Sequence, residues 1–197
     1  MQFYKSDLLQ YISGSISDTD LLDQLTELGL EVDQSKKEKN DLLIKLDLTP
    51  NRGDCFSLIG IARDVCAVNN LKLKLPKFKK QLKSLDSKKT ISLDKSACSS
   101  YLGQIIKLKS KGKTPQHIKK TLKAADIGQV NPIVDITNYV MLHTGQPLHA
   151  FDNKKIGKKI YVKFPSKKTK LKLLDGASHE ITKDFLTISD EKEVIAL

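Results

Sequence analysis

Arginine is nearly absent: Arg52 and Arg63 are the only two among 34 basic residues in a chain of 197. Aromatic residues make up 6%. Guanidinium forks and aromatic stacking platforms carry much of sequence-specific RNA reading. Their scarcity argues against dedicated base readout. Cysteine is also scarce, and Cys55, Cys66 and Cys98 are odd in number and widely spaced. They form no metal-ligand spacing and no disulfide framework, which fits a reducing, cytoplasmic setting. No run approaches the ~18 apolar residues of a membrane span. The start, MQFYKSDLLQ, lacks the basic-then-apolar form of a signal peptide. No membrane partner is expected.

Lysine and a sufficient apolar content are what the chain does have. The formal charge is +11 and hydrophobic residues make up 39%. A basic balance is compatible with phosphate-bearing partners, although much of the lysine can be read as solvated surface.

The periodicity predicts two small mixed units in an α+β arrangement. SDTDLLDQLTELG opens with a cap candidate, Ser17, carries Leu21, Leu22, Leu25 and Leu28 on one face, and ends at Gly29. QSKKEKN, residues 34–40, reads as polar and structureless. Leu42, Ile44, Leu46 and Leu48 alternate as a strand. Asp54 is placed to cap the next helix, which carries Leu58, Ile61, Ala62 and Val65. Cys66 falls on that apolar face as a buried thiol. Leu71, Leu73 and Leu75 alternate again. Residues 76–89, rich in lysine, read as a basic linker between a first unit at 1–75 and a second at 90–197.

In the second unit, strands are expected at 90–93 and 101–108. A helix follows with Thr114 as cap, Pro115 in its first turn and Ile118, Leu122 and Ala125 inside. A second helix has Ile133, Ile136, Thr137 and Val140 on its buried face and stops at Gly145. Ile160, Val162 and Phe164 should pair back onto Leu171 and Leu173 as a hairpin. Asp175–Gly176 marks a turn, and the apolar run 194–197 reads as a strand in need of a partner.

Two constellations carry chemistry. Just past Gly145 come Gln146, His149 and Asp152, with Thr137 and Asn138 on the helix that feeds this loop. A hydroxyl, an amide and an imidazole converging beside a helix end would suit a small-molecule pocket. The same residues are equally those of an ordinary helix and its exit loop. Around Thr49, the segment TPNRGDCFSLIGIARDV gathers Asn51, Arg52, Asp54, Arg63 and Asp64. It reads as a structural ion-pair and capping cluster that fixes a strand-to-helix turn. No nucleophile and base pair is visible there.

Three segments in order resemble one family. LGLEVD at 28–33, TPNRGDC…GIARD at 49–64, and TNYV with GQPLHAFD at 137–152 resemble the bacterial type of phenylalanyl-tRNA synthetase β subunit. They match its opening B1 region and its B3/B4 region, and with weaker similarity between them they span nearly the whole chain. The resemblance implies a B1-like domain followed by an incomplete B3/B4-like domain, in an amino-terminal piece of a longer subunit. It also implies that an oligonucleotide-binding-fold insertion usual after LGLEVD is missing. It implies an α subunit and tRNA as partners. ATP and magnesium belong to the parent enzyme, with no cofactor or metal bound by this chain and no aminoacylation residue in it.

B3/B4 in that family hydrolyses tyrosine misattached to the phenylalanine tRNA. A phenylalanine pocket rejects an isostere with one added hydroxyl poorly, so a second sieve is useful. Thr137, Asn138 and His149 fall on the editing-pocket positions by resemblance. The chain departs from the pattern in three places. Gly128 stands where an arginine is usual, Ser100 to Gln104 lack two more, and the tyrosine-reading glutamate with its GIMGG loop would lie past Leu197. The resemblance thus implies a structural ligase piece with an incomplete editing pocket. A free-standing hydrolase of tyrosyl-tRNA and a charge-driven RNA-binding module are the alternatives.

Overall fold

The computed structural model describes residues 1–77, 89–110, 112–172 and 176–197. The fold is α+β and divides into two compact units. Met1–Lys79 and Ser110–Ala150 form the first; Lys80–Lys109 and Phe151–Leu197 form the second.

The first unit is built on a three-stranded antiparallel sheet. Strands β1 (Gln2–Tyr4), β2 (Glu31–Glu38) and β3 (Asp41–Asp47) lie in the order β1-β3-β2. Helices α1 (Lys5–Leu9), α2 (Asp18–Glu27), α3 (Leu58–Val68), α4 (Gln116–Ala124) and α5 (Pro132–Thr144) complete it. The alternation in DLLIKLD puts Leu42, Ile44 and Leu46 inside, where they meet Leu21 and Leu25 of α2 and Leu58, Ile61 and Val65 of α3. Side chains of this size each contribute about 1.5–3 kcal/mol when fully buried. Ser17 caps α2 by accepting the Asp20 amide at 3.0 Å.

Four expectations for this unit are corrected. Residues 34–38 are not structureless. They belong to β2, which pairs with β3 and turns back through Lys39 and Asn40 alone. Lys39 takes a positive φ of 54° there, a conformation the tight turn imposes. Polar side chains hid this strand, because an edge strand needs no apolar alternation when its main chain is paired on one side. Ser57, not Asp54, caps α3: its hydroxyl accepts the Gly60 amide at 3.0 Å. Leu73 makes only an isolated bridge to Ile12 in place of a strand over 71–75. Pro115 sits at the cap of α4, one place earlier than expected, with Ile118 and Leu122 buried as the spacing required.

The expected division of the chain also differs from the observed one. The sequence assigned everything from 90 onward to one unit, yet α4 and α5 pack with the amino-terminal residues. Polar contacts hold them there. Thr121 donates to Asp7 at 3.0 Å, and Lys120 pairs with Asp41 at 2.6 Å while lying 4.3 Å above the Tyr4 ring. Residues 78–88 of the expected linker lie outside the described residues.

The second unit has a four-stranded sheet in the order β4-β5-β8-β9, from β4 (Thr90–Leu93), β5 (Lys159–Lys163), β8 (Thr187–Ser189) and β9 (Val194–Ala196). Strands β6 (Thr169–Lys172) and β7 (Ser178–Ile181) form a separate pair. The pair β4–β5 is parallel and its neighbours are antiparallel. Ile160, Val162 and Ile188 form the small core. Among the described residues the expected hairpin from 160–164 to 171–173 is not made, Leu173 lying outside them: β5 pairs with β4 and β8, and β6 with β7. The Asp175 half of the expected turn lies outside the described residues. No strand forms over 101–108, where Leu102, Ile106 and Leu108 are exposed and no main chain among the described residues pairs with them. No helix among the described residues is long and apolar enough to cross a membrane.

Candidate functional site

Arg52 is the centre of the first constellation. It sits in a short 3-10 turn, Pro50–Cys55, with non-helical φ −101° and ψ 41°. That kink carries its guanidinium back over the turn. Nη1 donates to the Leu28 carbonyl at 3.0 Å, Nε and Nη2 each reach Asp54 at 3.2 Å, and Nη2 also meets Cys55 Sγ at 2.8 Å. A further short bond joins Nη2 to Asp64 on α3. The arginine therefore ties the end of α2, the turn and α3 together. The fork of a guanidinium suits such a node better than an ammonium. Its hydrogen bonds hold the Asp54 carboxyl below the usual range, and burial pushes the Cys55 thiol up to about 12. Such a thiol is inert as a nucleophile at neutral pH.

Arg63 does not join this cluster. It is exposed, and among the described residues it pairs with no carboxylate. Consecutive positions of a helix point about 100° apart, so Arg63 does not share the direction of its neighbour Asp64. Asn51 is exposed at the start of the 3-10 turn.

Asp54, Cys55 and Asp64 place ligand-type atoms within 4.8 Å of one another. Arg52 already neutralises both carboxylates and occupies that space. The donor set therefore does not fit magnesium, which takes oxygen ligands and brings its own waters.

The second constellation lies on α5 and its exit loop. Asn131 caps the helix, accepting the amides of Ile133 and Val134 at 3.0 and 3.1 Å. Gly145 ends it in the left-handed conformation, φ 76°. Thr137 is half-buried and its hydroxyl donates to the Val134 carbonyl at 2.8 Å. Asn138 is half-buried beside it. His149 is exposed in the loop, and Gln146 bonds the neighbouring Pro147 carbonyl at 3.3 Å. Asp152 belongs to the second unit, where it accepts the Lys154 amide. The structure thus sets Thr137 and Asn138 side by side on the helix and His149 after its end.

The buried face of α5 is not the expected one. Ile133 and Ile136 are 43% and 45% exposed, while Asp135 and His143 are 2% and 3% exposed. Each of these two side chains has at least one partner that offsets part of its desolvation. Asp135 accepts the Thr114 hydroxyl at 2.5 Å and the Val130 amide at 2.9 Å. His143 Nδ1 lies 2.5 Å from the Tyr11 hydroxyl, and its ring is 4.0 Å from that of Tyr139. Asp135, Tyr139 and His143 recur every four residues. That spacing was readable in the sequence, but polar residues do not announce a core face.

Nε2 of His143 is buried without a hydrogen-bond partner among the described residues. Burial, with the His117 charge behind it, lowers its pKa to about 4. Tyr11 is pushed the other way, to about 12, mainly by burial. An unfolded histidine gains its proton near pH 6.5, whereas the folded one refuses it until about 4. Stability should therefore fall as the pH drops through that window, by about 3 kcal/mol at most. Asp7, raised by burial, acts in the opposite sense. Denaturant titrations between pH 7 and 4 check this. The acid slope should shrink in His143→Gln; an unchanged slope would assign it to other groups.

The described geometry holds no nucleophile, base and oxyanion donor set in one place. Residues 97–197 match the family model described as the B3/4 domain. The phenylalanine–tRNA ligase β subunit of Photorhabdus laumondii is 40% identical over 172 residues, covering 86% of this chain and 22% of the relative. That of Rhodopirellula baltica is 34% identical over 194 residues, covering 96% and 28%. A crystal structure of an amino-terminal fragment of the β subunit of phenylalanyl-tRNA synthetase from Pyrococcus horikoshii matches 93% of this chain and 50% of that chain, at 22% identity and a TM-score of 0.42. The chain spans 22% and 28% of the length of the two curated relatives named here.

Proposed function

The chain belongs to the B3/4 domain family, and on that premise we propose that it serves as the amino-terminal part of a phenylalanine–tRNA ligase β subunit. In this reading it is a structural support within an α/β heteromer that attaches phenylalanine to its tRNA. Its partners are the α subunit and tRNA, in the cytoplasm. ATP and magnesium act elsewhere in the assembly, and no step runs through them here.

The observation that carries the reading is the extent of the likeness, 86–96% of the chain against two β subunits. Local geometry supports a supporting role. Arg52 spends its donors inside the fold, and Thr137 closes its hydroxyl onto its own helix. Where the resemblance expects an inserted domain, β2 and β3 join directly through Lys39 and Asn40. The editing pocket is incomplete: Thr137, Asn138 and His149 are present, Gly128 replaces the usual arginine, and no carboxylate is assigned to the extra hydroxyl of tyrosine.

Co-expression with a phenylalanine–tRNA ligase α subunit tests the partnership. The two chains should co-elute in size-exclusion chromatography. An α subunit that elutes alone, beside a folded chain, would count against the support role.

A further inference from the structure

The positive charge is not shared between the units. The first holds 16 basic and 14 acidic residues, while the second holds 18 lysines and nine acidic residues. Nearly all of the net +11 therefore sits on the second unit, as +9 against +2. Its acidic residues are partly withdrawn. Asp190 accepts the amides of Gly157, Lys192 and Glu193, and Glu191 accepts that of Lys159.

One face of β5 organises that charge. Strand alternation turns Ile160 and Val162 into the core and Lys159, Tyr161 and Lys163 to the other side. The two ammonium groups lie 5.0 and 4.9 Å from the centre of the Tyr161 ring. They are thus held no farther apart than the sum of those distances. A cation over an aromatic ring is attracted by its quadrupole, so these lysines are positioned more firmly than free surface lysines. Among the described residues neither pairs with a carboxylate. On the adjoining strand, Thr90 lies opposite Lys159 and Ser92 opposite Tyr161, adding hydroxyls of the kind that bond phosphate oxygens.

We infer that the Lys159–Tyr161–Lys163 face of β5 is a docking surface for an RNA phosphate backbone. The ring is engaged by its own lysines, so the face reads charge and spacing and not bases. A membrane surface is the weaker fit, because an interfacial element needs apolar side chains to insert, and the one ring in this row, that of Tyr161, is flanked by two lysines. The inference rests on the ligase reading for its tRNA partner and adds the surface that meets it; binding to RNA and co-elution with an α subunit are read out separately.

The test is fluorescence anisotropy of the whole chain with a labelled tRNA transcript across a salt series. Lys159→Gln/Lys163→Gln should weaken binding about tenfold at low salt and flatten the salt slope by about 1.5, as expected for two lost phosphate contacts. Lys154→Gln/Lys155→Gln removes the same charge from a loop of the same unit and should change binding little. Thermal melts confirm that both variants fold. Equal weakening by the two pairs would mean diffuse attraction and overturn the assignment, as would no binding by the parent chain. Tighter binding to phosphatidylserine vesicles than to RNA, lost in Lys159→Gln/Lys163→Gln, would overturn it in favour of a membrane.

Discussion

Gly60→Ala should destabilise the first unit by about 3 kcal/mol or more, close to its entire margin in a marginally stable domain. A Cβ built on Gly60 would lie 1.8 Å from the Asp54 carbonyl oxygen and 3.0 Å from Ser57 Oγ. The first of these is backbone and cannot rotate away. The higher helix propensity of alanine offsets only about 1 kcal/mol. Either the turn that carries Arg52 opens or the first turn of α3 moves off it. Thermal unfolding checks this: a midpoint within a degree or two of the parent would mean that the close approach is not held in solution.

Arg52→Met should be the next largest loss, about 2 kcal/mol. Removing the guanidinium leaves Asp54 and Asp64 facing each other and the Leu28 carbonyl without its donor. Breaking a fully buried ion pair costs about 3–5 kcal/mol, and partial exposure of Arg52 and both acids reduces that. Asp64→Asn added to Arg52→Met should recover part of the loss by removing one stranded charge. Arg63→Ala, by contrast, should stay within about 0.5 kcal/mol, as for a surface position. Equal effects of the two arginine variants in denaturant titrations would contradict the node drawn around Arg52.

The contrast between the two arginines shows what the sequence could and could not yield. Both lie in one motif, and sequence distance alone grouped them. The kink at Arg52, which is not encoded in spacing, and the outward direction of Arg63, opposite the Leu58, Ile61 and Val65 face, separate them. Helices α2 and α3 and strand β3 were legible because leucine and isoleucine recur with a clear period. Strand β2 was not, because its neighbour fixes it through main-chain bonds. The buried face of α5 was misjudged for the opposite reason. Ile133 and Ile136 gave the stronger apolar signal, but Asp135 and His143 each have a specific partner, in Thr114 and Tyr11. Those partners lie 21 and 132 residues away. Long-range polar pairing of this kind leaves no periodic trace. It also explains why α4 and α5 pack with the amino-terminal sheet although the B3/4 match, 97–197, runs across both units.

The site on α5 was legible as a set of positions, Thr137, Asn138 and His149, and not as an arrangement. Whether those positions perform hydrolysis is the most direct question for the proposed role. A site that must distinguish tyrosine from phenylalanine needs a buried polar partner for the added hydroxyl. The measurement is deacylation of tyrosyl-tRNA by the whole chain beside His149→Ala. Rates equal to buffer in both are expected of a supporting piece with an incomplete pocket. Robust hydrolysis by the parent chain, lost in His149→Ala, would contradict that role and make the protein a free-standing editing hydrolase.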